Sequence, residues 1–288
     1  MAGSLSSVVA SPLFTKAAIL QALKSDAGMR TAWIIVEAED DYNVYNGFMN
    51  PATTVVKTSE GDDGRRGYAN VELIVTNVKA AVPAAHICGI RDADYTKYED
   101  TPHTFTDNVF ITDRRDVEMM MLEADSVQTV LKAWLPDFDT AFARCILICR
   151  HLGYLQIINH IEGLECVFRK HMKVSRFWNQ LEHTLVSDWK KQCNQTFYCL
   201  TEGAGTEFHI NHFIIEKSLT GENFYDVCRG HDVLAVLSLS SVNTNIFSPA
   251  AIMRKMIETY TFDDFKTTKL YASLKEWQNA EGVIALVA

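Results

Sequence analysis

The sequence predicts an α/β fold: a mainly parallel sheet flanked by helices, followed by a largely α-helical C-terminal region. Three observations carry this prediction. From residue 32 to residue 122, short apolar or β-branched runs alternate with stretches of helical periodicity. Turn-forming clusters such as GDDGRRG separate them, and repeated βα units of this kind build parallel sheets covered by helices. Beyond residue 137 helical periodicity dominates and strand signals are few.

In chain order, Ala32–Glu37 (AWIIVE) reads as a strand ending in an acid, and Asp40–Met49 comes next with Tyr42, Tyr45 and Met49 at helical spacing. Thr53–Thr58 (TTVVKT) is β-branched, and Tyr68–Lys79 places Val71, Ile74, Val75 and Val78 on one helical face, giving a second βα unit. Ala84–Arg91 and Val109–Thr112 supply two more strands, the last leading into helical patterns at Val117–Leu122 and Ser126–Trp134. Pro136 ends that helix, so the chain divides into residues 1–136, an α/β domain, and residues 137–288, a mainly helical one. In the latter, Phe142–Leu155, Glu165–Trp178, Phe177–Trp189, His231–Leu239 and Ala250–Tyr260 read as helices.

With 48% apolar and 22% charged residues, the 288-residue chain is expected to bury a substantial core. No basic, apolar leader opens it and no long uncharged apolar run interrupts it, so a cytoplasmic protein without membrane attachment is expected. Seven cysteines without a CxxC pair argue for buried thiols over a disulfide framework. The net charge of −9 opposes phosphate binding, but residues 1–125 carry 19 Asp/Glu against 11 Lys/Arg, whereas residues 126–288 carry 17 against 16. Acids gathered to hold cations would explain such an imbalance.

Those acids recur at strand ends, where the loops of a parallel sheet converge. Glu37 closes the first strand, and Asp41 would face it from the first turn of the next helix. Asp92 and Asp94 close the third; in an extended segment they share a face while Ala93 turns away. Glu118 opens the helix after the fourth strand and is a further candidate ligand. Hard oxygen donors of this kind suit Mg²⁺ or Mn²⁺, which activate water and stabilise the leaving oxygen in phosphodiester cleavage. Glu37, Asp92 and Asp94 are the expected catalytic residues, and Glu37, Asp41, Asp92, Asp94 and Glu118 the expected metal ligands. The plainer alternative is that Asp40 or Asp41 merely caps a helix.

The segments IIVEAEDDYNVYNGF, CGIRDADY and FITDRRDVEMMML resemble the TOPRIM domain of the OLD-like family, and RGHDVLAVL at Arg229–Leu237 is similar to a helix start in that family's C-terminal part. The resemblance covers residues 31–124 in order and spacing, with Ala38 where the family carries glycine. Within the family the chain most resembles the AriB group of TOPRIM effectors from PARIS anti-phage defence systems. That implies a TOPRIM-like fold and a metal-dependent nuclease, an RNase cleaving tRNA, kept inactive by an AriA-like ABC-type ATPase partner until infection. It makes Glu37 a metal ligand or general acid/base, Asp41 the second acid of the turn, and Asp92 and Asp94 the metal-binding pair. Paired sites would help grip folded RNA, so a homodimer is expected.

Arg65 and Arg66, in a loop whose glycines admit close backbone approach, are candidates for holding nucleic-acid phosphate. So are Arg169, Lys170 and Lys173, in a basic run beside Phe168, Phe177 and Trp178 that could grip a single strand, and Arg229 at a helix start. His209 and His212 lack a third ligand at metal-site spacing. Three other activities compete: an OLD-type DNA endonuclease, a non-catalytic module that binds a partner and signals, and a phosphatase using DADYT as a DxDxT motif. The last is disfavoured because that motif ends the third strand here, not the first.

Overall fold

A computed structural model describes residues 12–59, 67–99, 106–203, 205–241 and 243–287. The elements run α1 (Pro12–Ala22), α2 (Asp26–Arg30), β1 (Ala32–Val36), α3 (Glu39–Tyr45), β2 (Thr54–Thr58), α4 (Tyr68–Ala81), β3 (Ile87–Arg91), β4 (Val109–Ile111), α5 (Val117–Glu123), α6 (Asp125–Trp134) and α7 (Phe138–Ile161). They continue with α8 (Phe168–His171), β5 (Trp178–Asn179), β6 (Thr184–Leu185), α9 (Trp189–Leu200), α10 (Glu207–Glu216), α11 (Phe224–Val227), α12 (Gly230–Leu239), α13 (Pro249–Thr259), α14 (Phe262–Lys266) and α15 (Lys269–Glu281). The protein is α/β, with a parallel sheet flanked by helices and a helical C-terminal region.

The described residues fall into two compact units, one within Met1–Asp92, Thr104–Asp113 and Phe262–Ala288, the other within Ala93–His103 and Arg114–Thr261. This division does not match the expected cut at residues 136/137. The final helices belong to the first unit because side chains far away in sequence hold them: Asp113 accepts the backbone N–H groups of Lys269 and Leu270 at 2.7 and 2.8 Å. Glu281 meets Lys79 at 2.8 Å and His86 at 2.9 Å. Such long-range pairs leave no local pattern in the chain.

The first unit is built on a sheet of order β2-β1-β3-β4, all parallel. Its strands are short, and β1 and β3 are buried along their whole length, as central parallel strands covered on both faces must be. Trp33 and Ile35 pack on α1 and α4 with Ile19, Val71, Ile74, Val75 and Val78. The period-2 alternation of a strand turns Ile34 and Val36 to the opposite face. Close to α3, an aromatic group joins Tyr45 and Phe48 to Phe265, the Phe48 and Phe265 rings stacking at 4.8 Å. From β1 the chain passes through α3 to one side; from β3 it passes to β4 on the other. The carboxyl ends of β1 and β3 therefore flank the point where the direction of winding reverses, the place in open α/β sheets where a crevice forms.

The second unit is organised around α7, against which α6, α9, α10, α11 and α12 pack. Residues 151–158 of α7 are all buried, as in a helix surrounded by others. By length and composition α7 could cross a membrane, but 61% of its most apolar window is buried inside the protein. The region read as two consecutive helices over Glu165–Trp178 and Phe177–Trp189 is instead a single turn of α8, a 3₁₀ turn at Val174–Phe177 and the β5–β6 hairpin. Phe177 and Trp178, expected beside the basic run where they could grip a single strand, are buried, Trp178 within β5. All seven cysteines are free, and only Cys199 is exposed.

Candidate functional site

Glu37 directly succeeds β1, and its side chain reaches across to β3: Oε1 accepts the backbone N–H of Asp92 at 3.0 Å. The strand ends are thus tied together at the reversal point by a carboxylate. Ser59, directly after β2, holds this strand end from the β2 side. Ser59, fully buried, donates from Oγ to the Glu37 carbonyl at 3.1 Å, and its N–H donates to the Val36 carbonyl at 2.8 Å. Gly67, at the end of the glycine-rich loop, has φ +69°, and a Cβ there would stand 3.1 Å from Glu37 Oε2. The last glycine of GDDGRRG, expected to bring backbone close to a phosphate, here brings it close to an acid. Arg65 and Arg66 lie outside the described residues.

Asp41 is buried on the first turn of α3, and its Oδ2 accepts the N–H of Ala38 at 3.0 Å. It closes the helix start, which is the plainer, structural alternative for this position. Ala38, where a glycine was expected, is accommodated because its φ of −141° is ordinary extended backbone. Arg91, for which the sequence suggests no role, is 2% exposed at the end of β3. Its Nη1 meets Glu72 Oε1 at 2.8 Å, its Nε donates to the Asp92 carbonyl at 3.2 Å, and its guanidinium lies 3.8 Å from the centre of the Tyr68 ring. An arginine at the end of an apolar strand carries no local signal for such a cage.

The paired-acid geometry expected at Asp92 and Asp94 is corrected. The strand ends at Arg91, and Asp94 has φ +47°, with a 3₁₀ turn next at Thr96–Tyr98. The DAD segment is a turn, so side chains two apart do not share a face as they would in extended chain. Asp94 belongs to the second unit, where its N–H donates to the Arg115 carbonyl at 2.8 Å. Glu118 also lies in the second unit, buried at the start of α5, and its Oε1 stands 3.5 Å from His231 Nε2. Among the described residues no three His, Cys, Asp or Glu side chains form a group that could hold a metal ion. Metal binding here would therefore rely on fewer protein carboxylates than the five expected, as Mg²⁺ commonly does by retaining water.

Within the second unit a buried polar network surrounds the residues after β4. Arg115 donates from Nη1 to the Val227 carbonyl and from Nη2 to Tyr95 Oη and Gln156 Oε1, each at 2.6 Å. Gln156 in turn donates to Asp232 Oδ2 at 3.0 Å. Asp116 accepts the N–H of Met119 at 3.0 Å, capping α5, and that of Gly230 at 2.8 Å, capping α12. Burial pushes the Asp116 carboxyl above its ordinary value, opposed by the Gly230 N–H and the neighbouring Arg115. The same effect acts on the thiols: burial raises Cys88, Cys149 and Cys228 well above the usual range, which leaves them protonated and poor nucleophiles.

Of the expected phosphate contacts in this unit, Arg169, Lys173 and Arg229 converge on one pocket of about 440 Å³, lined also by Phe168, His231 and Asp232. Lys170 is exposed and is not part of the lining. Phe177 and Trp178 are buried and offer no ring to a strand, leaving Phe168 as the aromatic available there. Comparison with protein-family models and with curated proteins finds no match to this chain.

Proposed function

We propose that this chain is a divalent-metal-dependent nuclease that cleaves RNA, tRNA above all, as the toxic effector of an anti-phage abortive-infection system. The observation that carries the reading is the position of Glu37: a carboxylate at the winding reversal of a parallel sheet, bound across it to the backbone of Asp92. The substrate class, the restraining ABC-type ATPase and the homodimer rest on the resemblance of residues 31–124 to the OLD-like TOPRIM family. A bound Mg²⁺ or Mn²⁺ would supply a polarised water and charge neutralisation at the phosphate. Glu37, joined by no more than one of Asp41 and Asp92, would hold it with water and substrate phosphate completing its shell, and the bare Gly67 backbone beside Glu37 Oε2 leaves room where a Cβ would crowd. Glu37 then accepts a proton from the attacking water, and Arg91 fixes the Asp92 backbone through its Nε. These two roles, acid/base and positioning, are what the chain's own groups contribute.

A second reading, a non-catalytic module that binds a partner and signals, draws on a specific observation. Glu37 Oε1 and Asp41 Oδ2 each hold a backbone N–H, and no three-ligand metal group occurs among the described residues. The experiment that separates the two is cleavage of total tRNA, single-stranded RNA and plasmid DNA by the purified chain with Mn²⁺, Mg²⁺ or EDTA. Metal-dependent cutting of RNA supports the nuclease, and cutting of DNA alone moves the substrate to that of an OLD-type endonuclease. Intact nucleic acids, both with the chain alone and after co-expression with the ATPase and phage infection, favour the signalling module.

A further inference from the structure

The pocket formed by α8, the residues after it and the first turn of α12 gathers three of the candidate phosphate contacts, which the cleavage proposed at Glu37 leaves without a defined ligand. Arg169 and Lys173 come from one segment and Arg229 from another 56 residues beyond Lys173, so the fold has gathered three cations that the sequence keeps apart. Among the described residues none of the three takes part in an ion pair, although the chain carries a net charge of −9 and pairs many of its other cations. Three cations lined by a single carboxylate, Asp232, leave the empty pocket with an excess of positive charge, and an anion relieves it. Beside them stands the Phe168 ring, itself packed on Phe197 at 6.0 Å between centroids. The volume, about 440 Å³, lies in the roughly 300–1,000 Å³ range of small-ligand sites.

One acid, Asp232, lines the pocket, and a second, Glu118, meets the lining residue His231; both are already engaged. Asp232 accepts a hydrogen bond from Gln156, whose Oε1 is bound by the buried Arg115. Glu118 faces His231 at 3.5 Å. Asp232 remains a lining acceptor, suited to a hydroxyl. A phosphate for the cations, a flat ring for Phe168 and a hydroxyl for Asp232 together describe one ligand chemistry.

We propose that this pocket is a binding site for a phosphorylated nucleoside, supplied either as a free mononucleotide or as the phosphorylated end of a nucleic-acid strand. The site lies wholly within the second unit and stands whether or not the first unit cuts RNA. Phosphate is held by Arg169, Lys173 and Arg229, the base packs on Phe168, and Asp232 accepts from the sugar.

The test is calorimetric titration of the full chain with the four ribonucleoside 5′-monophosphates, the parent nucleosides, inorganic phosphate, and a short oligoribonucleotide with and without a 5′-phosphate, in EDTA so that no cleavage intervenes. Saturable binding of at least one monophosphate or of the 5′-phosphorylated oligonucleotide is expected, with the unphosphorylated counterpart weaker by about tenfold or more. Binding of the monophosphate identifies a free nucleotide as a sufficient ligand; binding of the phosphorylated oligonucleotide alone identifies a strand end. The exposed double variant Arg169→Gln/Lys173→Gln, checked for an unchanged melting temperature, is expected to lose at least tenfold in affinity, and Phe168→Ala a smaller factor. Equal binding of phosphorylated and unphosphorylated ligands, affinity unaltered in the double variant, or no binding of any probe at millimolar concentration would overturn the proposal.

Discussion

Asp116 joins two helices through one carboxylate, so its replacement should be expensive in a way that distinguishes its two oxygens. The side chain is 6% exposed, and its oxygens satisfy the N–H groups of Met119 and Gly230. Asp116→Ala strands two buried donors, each worth about 1–3 kcal/mol when left unsatisfied. It also removes the negative neighbour of the buried Arg115. Against this, burial already raises the Asp116 carboxyl, so part of the gain is spent on desolvating the charge. The net loss is therefore placed in the lower half of the sum, about 2–4 kcal/mol. Asp116→Asn keeps one oxygen and turns an amide N–H₂ toward the other donor, and should cost about half as much. Urea unfolding at neutral pH, monitored by circular dichroism, measures both. A loss below about 1 kcal/mol for the alanine variant, or equal losses for the two, would refute the double-cap reasoning.

Named contacts yield three further expected outcomes. Burial holds His151 neutral, its ring nitrogen bound to Asn194 at 2.7 Å, and lowers it from 6.5 to about 4. Because the folded value is depressed, its contribution is intact above about pH 6.5 and is lost as pH falls toward 4; linkage puts the loss at about 3 kcal/mol, absent in His151→Gln when stability is titrated against pH. Gly230→Ala would place a Cβ 2.3 Å from Glu118 Cβ and 2.7 Å from Asp116 Oδ1, so a loss of about 1–3 kcal/mol in chemical denaturation is expected, and an unchanged midpoint would contradict this packing. Gly67→Ala meets both positive φ and Glu37 Oε2, and should cost about 1 kcal/mol in thermal unfolding while lowering cleavage of RNA by a larger factor than that loss explains.

The β1, α3, β2 and α4 succession was legible because each element states its own period: five buried residues in AWIIV, and Val71, Ile74, Val75 and Val78 along one helical face. The acid at the end of β1 was legible for the same reason, being the residue that breaks an apolar run. The Asp92–Asp94 geometry was not, since DAD reads equally as a strand end or a turn, and contacts such as the Asp94 N–H to Arg115 decide between them. In Glu165–Trp189 the apolar spacing of a broken helix and of a hairpin coincide, and burial of Phe177 and Trp178 settled the matter through tertiary packing. Arg91, Arg115 and Asp116 each act through a partner between 19 and 114 residues away, which no short window of sequence contains. Arg169, Lys173 and Arg229 were each legible as candidate phosphate contacts, but their convergence on one open pocket was not.

The most direct test of the central claim compares the wild type with Glu37→Gln on total tRNA in Mn²⁺ under single-turnover conditions, after both have been shown to melt at the same temperature. The account predicts cleavage by the wild type that EDTA abolishes, and a rate lower by on the order of 100-fold or more in the variant. Equal rates for the two proteins, or wild-type cleavage that persists in EDTA, would contradict it.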